Sequence, residues 1–162
     1  MPISLFRIDE RLLHGQVIVG WGVRLRISYY VVVDDRIAES EWEQELYGAG
    51  LPKNISVYFL SEVEAIDRFS ELDALPGVGA LLTRGTGAMR ALAETGRLQD
   101  RRVNVGGLHD GPGRRAVLDY VYLRDAEVDD LRVIAELARS LTARDLPTAT
   151  EVELDGVLHA AD

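Results

Sequence analysis

The chain contains no cysteine and only one lysine, Lys53. Without thiols there are no disulfides and no thiolate metal centres, and zinc-type ligand spacings are missing as well, so no metal is expected. Positive charge is scarce: 27 Asp and Glu stand against 18 Lys and Arg, a net charge of −9 at pH 7. Neutralising phosphates requires a basic face, so nucleic acid is not expected as a partner. Long hydrophobic runs are also missing. The apolar stretches are far too short to cross a bilayer, and the N-terminus shows no basic region leading into an apolar segment and a small-residue cleavage site. The expectation is a cytoplasmic protein that meets the inner face of the membrane only through partners. Histidine is rare too, at three residues, which leaves few places for imidazole chemistry.

With 162 residues, 47% of them hydrophobic and 28% charged, the chain has the balance of one globular domain spanning 1–162. Apolar runs at 3–8, 27–33, 55–60, 78–83 and 103–108 read as strands, with a sixth at 117–123 and a short one near 152–154. Between them lie helical patterns: 15–25, a short helix opened by a capping box at Ser40, a second capping box at Ser61 leading into Ile66, Phe69 and Leu72, and a helix capped by Thr86 and stopped near Gly96. A further helix, starting at Val128, carries Val128, Leu131, Ile134, Ala135, Ala138 and Leu141 on one face. Such alternation predicts an α/β fold, an open, mostly parallel twisted sheet of about six or seven strands with helices on both faces. Ligands of such sheets gather beyond the carboxyl ends of the strands, and His14, Asp34, Asp35, Thr86 and His109 all follow strand ends.

The densest chemistry lies in Arg7-Ile8-Asp9-Glu10-Arg11-Leu12-Leu13-His14-Gly15-Gln16-Val17, where the first strand hands over to the first helix. Unpaired N–H groups and the macrodipole at a helix start favour an anion beside His14, and Arg11 adds a full charge and a bidentate fork. A phosphoryl group in transit needs both a nucleophilic nitrogen and such a cradle. His14 is therefore the candidate nucleophile, with Arg11, Gly15 and Gln16 holding the phosphate. Asp9 is placed to fix the imidazole tautomer or to position Arg11, while Glu10 reads as a solvated turn residue and Arg7 as a packing or ion-pair residue.

This string resembles the active-site segment of the mannose, fructose and sorbose type of IIB component in the bacterial phosphoenolpyruvate-dependent sugar phosphotransferase system, which reads nearly R-I-D-x-R-L-x-H-G-Q-V. Val33-Asp34-Asp35, residues 104–109 (Asn-Val-Gly-Gly-Leu-His) and Val121-Tyr122-Leu123 are similar to later segments of that family, in the same order. The resemblance implies that His14 accepts a phosphoryl group from a phospho-IIA donor protein and passes it to a sugar carried by membrane IIC and IID components, with no cofactor. The chain departs from the family at Asp110, where an aromatic residue is usual, and more loosely over 139–162. The competing expectation is a IIB-like regulatory or binding module governed by histidine phosphorylation, without transport.

Other readings are weaker. Asp34-Asp35 suggests a magnesium pair of the receiver type, but such domains need a lysine after a late strand and Lys53 precedes the third. No G-x-G-x-x-G follows the first strand, so a dinucleotide site is not expected. His109, Asp34 and Thr86 are retained as supporting site residues, and His159 as a solvated one. The pairs Arg101-Arg102 and Arg114-Arg115 read either as the trace of an arginine-rich composition or as a docking patch for an acidic partner.

Overall fold

The computed structural model describes residues 2–160. Its main sheet has seven strands: β1 (Ile3–Ile8), β2 (Tyr29–Val33), β3 (Ser56–Leu60), β4 (Gly79–Thr83), β5 (Arg102–Val105), β8 (Ser140–Ala143) and β9 (Val152–Glu153). They lie in the order β3-β2-β4-β1-β5-β8-β9, and every pairing is parallel except that of β8 with β9. The remaining strands, β6 (Arg115–Leu118) and β7 (Val121–Leu123), form a separate antiparallel hairpin. The fold class expected from the alternation is the one found.

Period-two geometry sends each central strand's side chains to two cores. Phe6, Ile8, Val31, Val33 and Leu81 face one core, with α4 (Glu62–Asp67), α5 (Phe69–Leu72), α6 (Thr86–Ala93), α7 (Asp125–Leu137) and α8 (Leu154–Ala160). Leu5, Tyr30, Val32, Ala80 and Leu82 face the other, where a π-helical segment Gln16–Trp21, α1 (Gly22–Leu25), α2 (Asp35–Ala38) and α3 (Glu41–Gly48) lie. From β1 the chain builds outward on one side through β2, β3 and β4, then crosses to β5 and β8 on the other. The carboxyl end of β1 is thus the point where strand order reverses, the usual place for a ligand in such sheets.

Several local expectations need correction. The helix over 15–25 begins as a π-helix, not an α-helix. Ser40 precedes α3 but makes no cap bond; Gln44 instead donates to the Ile37 and Ala38 carbonyls, tying α3 to the adjacent α2. The Ser61 capping box forms in full with Glu64, but its helix breaks at Arg68, beyond which Phe69 stacks on Phe6 with ring centres 6.2 Å apart. Thr86 is not a cap. Gly85 occupies that position, and the buried Thr86 hydroxyl donates to Asp130 at 2.8 Å. The strand over 117–123 is instead the β6–β7 hairpin, turned at Asp119 and Tyr120. Leu141 belongs to β8, because Ala138 leaves helical geometry; burial demands an apolar residue there either way, so the helical stripe ran on into a strand. Finally, among its described side chains α8 has Leu154 and Leu158 as buried anchors, a stripe too short to declare a helix.

Candidate functional site

β1 is flanked by β4 and β5, and its continuation stays strapped to both. Asp9 N–H donates to the Thr83 carbonyl and Glu10 N–H to the Gly107 carbonyl, each at 2.9 Å. Chain direction then changes at Leu12, which takes φ +53° and is nevertheless fully buried beneath the loop beside Leu13. His14 follows, and its carbonyl accepts the N–H groups of Val17 and Ile18, starting the helical segment. Gly15 and Gln16 open that segment, where N–H groups have no intrahelical partner.

His14 is held by Asp9: Nε2 lies 3.1 Å from Oδ2 of a carboxylate with no solvent exposure, and the imidazole is itself only 13% exposed. Nδ1, the other ring nitrogen, has no hydrogen-bond partner and is shielded from solvent. Burial pushes the Asp9 carboxyl up, but the His14 hydrogen bond, the Arg7 charge and the Arg11 N–H together hold it below the ordinary aspartate value. Arg7 lies under this pair, fully buried, donating to Asp9 Oδ2 from Nε at 3.3 Å and from Nη2 at 3.1 Å. It was read from sequence as a packing or ion-pair residue, and the signal of its place is the spacing: two residues apart at a strand end, Arg7 and Asp9 fall on one face.

Arg11 is exposed, and its guanidinium donates to Gln16 Oε1 at 2.8 Å. Of the phosphate-holding candidates, Arg11 and Gln16 are thus joined to each other, and Gly15 directly follows His14 in the chain. A Cβ at Gly15 would meet nothing within 4 Å, so open space adjoins the loop there.

Of the supporting residues, Asp34 and His109 line one cleft with Arg11, and Thr86 is not among its walls. Asp34 caps α2 by accepting the Ile37 N–H at 3.0 Å and pairs with Arg84 at 3.2 Å. Its neighbour Asp35 accepts the Glu62 N–H at 2.8 Å, and among the described residues no group of three or more His, Asp or Glu could hold a metal. Thr86 is committed to Asp130, as above. His109 does reach the rim, through Glu10. Glu10 Oε2 accepts the His109 N–H and lies 3.0 Å from Nδ1, while Oε1 pairs with Arg114, which also grips Glu127. Glu10 is thus an ion-pair hub, not a solvated turn residue, a role invisible in sequence because Arg114 lies 104 positions away. Arg11, Arg84, Arg114, Glu10 and His109 line a cleft of about 570 Å³, of which His14 is not a wall. Of the arginine pairs, Arg101 is buried, bonded to Asp73 with its guanidinium over Phe6, and Arg114 is spent on Glu10 and Glu127, while Arg102 and Arg115 remain exposed. His159 is exposed, 3.2 Å from Asp155. Among the described residues no helix is long and apolar enough to cross a membrane.

Comparison with known proteins bears on what this rim does. The family model described as PTS system sorbose subfamily IIB component matches residues 3–162. Over 146 residues the chain is 31% identical to the N-acetylgalactosamine-specific phosphotransferase enzyme IIB component 1 of Escherichia coli (strain K12), covering 90% of this chain and 91% of that one. It is 24% identical to the mannose-specific EIIAB component of the same organism, spanning 50% of that longer protein. The solved IIBSor domain of the sorbose permease from Klebsiella pneumoniae shares the fold, with a TM-score of 0.89 at 21% identity, covering 100% of this chain and 99% of that one.

Proposed function

The chain belongs to the sorbose subfamily of phosphotransferase-system IIB components, and from that premise we propose that His14 carries the phosphoryl group on Nδ1. A IIB component is a phosphoryl carrier of a sugar phosphotransferase system. What remains is which atom accepts the group, and the one observation that carries the assignment is Nε2 of His14 on the Asp9 carboxylate with Nδ1 unpartnered.

An ionised carboxylate only accepts hydrogen bonds. Asp9 therefore favours the tautomer with hydrogen on Nε2 and leaves the lone pair on Nδ1, the form a nucleophile requires. In the first step Nδ1 attacks phosphorus as the bond to the donor's phosphohistidine breaks. Arg11 then exchanges Gln16 Oε1 for phosphoryl oxygens, and the N–H groups that open the helical segment face the same charge. In the second step a sugar hydroxyl attacks phosphorus, giving up its proton to solvent, and Nδ1 leaves with its lone pair. Asp9 keeps the hydrogen on Nε2 throughout, so the ring need not change tautomer between receiving and giving.

The donor is a IIA protein, in keeping with the relative whose name joins A and B components in one chain. The acceptor is a sugar delivered by membrane IIC and IID components, with the chain working at the cytoplasmic face. The experiment is labelling with phosphoenolpyruvate, the two general phosphocarriers and a cognate IIA. An acid-labile, alkali-stable label is expected, lost in His14→Gln and retained in His109→Gln. Label that survives loss of His14 overturns the assignment.

A further inference from the structure

Among the described residues Arg7 is the largest fully buried side chain, and every donor of its guanidinium is spent. Nε and Nη2 reach Asp9 Oδ2; Nη1 reaches Asn104 Oδ1 and, at 2.8 Å, the Arg144 carbonyl; Nη2 also reaches the Asp145 carbonyl at 2.9 Å. Five donors meet five contacts, the full capacity of the group. Its Cζ lies 5.1 Å from the centre of the Trp21 ring, and Trp21 Nε1 donates to the same Asp145 carbonyl at 3.1 Å. The last wall is backbone. A Cβ at Gly106 would lie 2.2 Å from Nη2 and 2.6 Å from Asp9 Oδ2, so only glycine leaves room for the pair.

This is more fixation than an ion pair needs for stability alone. A buried ion pair is often matched or bettered in stability by apolar residues of similar volume, so its retention asks for a further reason. The reason lies in Asp9 Oδ2, the single oxygen that receives both Arg7 donors and faces His14 Nε2. Without Arg7 the carboxylate would keep only the His14 contact on Oδ2 and the Arg11 N–H on Oδ1, with nothing beneath it to fix its rotation about χ2. We propose that Arg7 is a positioning residue of phosphoryl transfer: by locking the Asp9 carboxylate from beneath, it fixes the His14 ring and confines phosphorylation to Nδ1. The inference rests on the assignment of His14 above. Asn104, the Arg144–Asp145 backbone and Trp21 act only through Arg7, as the frame that holds the guanidinium in place.

The test is the site and rate of labelling in Arg7→Lys and Arg7→Gln, read by 15N and 31P NMR of the phosphorylated protein. Wild type takes phosphate on Nδ1 alone. Lysine supplies a charge but three donors from one atom, so Arg7→Lys should label about tenfold more slowly and Arg7→Gln about a hundredfold, the scale of an ångström misplacement of a reacting group. In both, a fraction of the phosphate should move to Nε2, and in unphosphorylated protein the His14 15N shifts should report mixed tautomers. A merely structural arginine would lower the thermal midpoint and leave the ring nitrogen unchanged. Should the Arg7 variants fail to fold, Asn104→Ala removes one Nη1 acceptor and keeps Asp9 and His14 intact; severalfold slower labelling with some Nε2 product is expected. Label confined to Nδ1 at the wild-type rate, in whichever variant folds, overturns the proposal. Failure of the wild type to label on His14 would overturn the parent assignment instead, so the two outcomes are separate.

Discussion

Two adjacent acids each hold a histidine, and the two pairs differ in nearly everything but distance. Asp9 meets His14 at 3.1 Å and Glu10 meets His109 at 3.0 Å. Asp9 is unexposed, seated on a buried arginine, and takes the distal nitrogen, leaving Nδ1 facing no partner. Glu10 is partly exposed, takes Nδ1 together with the His109 N–H, and spends its other oxygen on Arg114. Its histidine is 54% exposed. The first pair sets a tautomer and directs a lone pair; the second fastens a loop. A histidine beside a carboxylate is therefore no sign of catalysis until one knows which nitrogen the carboxylate takes and what lies behind it.

The comparison can be broken most severely at Asp9. Asp9→Ala leaves the Arg7 charge buried without its counter-ion, a loss of about 3–5 kcal/mol, which should lower the thermal midpoint by roughly 6–20 °C in calorimetry. Next comes Arg11, which touches the transferring group and not the core. Arg11→Ala forfeits a charge-assisted contact of about 1.5–3 kcal/mol, so labelling of His14 should slow by about ten- to a hundredfold. The midpoint should scarcely move, and Arg11→Lys should rescue only part of the rate. Glu10→Gln tests the fastening pair. With Glu10 partly solvated, about 1 kcal/mol of stability is at stake, with His14 labelled at nearly the wild-type rate. The smallest effect is in acid. Burial raises both carboxyls but their partners more than offset it, so each is held below its ordinary value in the folded protein. A depressed folded value means stability present above the unfolded value, near pH 4, and lost as pH falls through the folded one. Unfolding curves taken from pH 5 downward should therefore show a loss that Asp9→Asn and Glu10→Gln each reduce; an unchanged acid limb in both would remove these groups from the linkage.

How much of this was legible in the sequence follows from the range of the forces involved. Strands with burial on both faces, such as residues 29–33, declare themselves by local pattern, and so does the Ser61 capping box, whose partners lie three residues apart. The His14 loop was legible for the same reason, since Arg7, Asp9, Arg11, His14 and Gln16 meet within ten residues. Contacts across the chain were not. Nothing local tells that Thr86 prefers Asp130 to its own helix start, or that Glu10 awaits Arg114. Leu141 was misplaced because a buried strand and a buried helix face make the same demand on a residue, and only the backbone at Ala138 separates them.

Leu12 carries no charge and donates nothing to the chemistry, yet it narrows what evolution can do with the loop. Its left-handed backbone costs a non-glycine residue about 1–2 kcal/mol, while burial of its side chain returns about 1.5–3 kcal/mol, so the strained conformation is held by the anchor beneath it. Glycine relieves the backbone and loses the anchor; alanine loses most of the anchor and keeps the strain; a β-branched residue worsens the strain. Each of these substitutions therefore leads downhill, which makes an ordinary-looking leucine a mutational bottleneck, two residues from the histidine it serves.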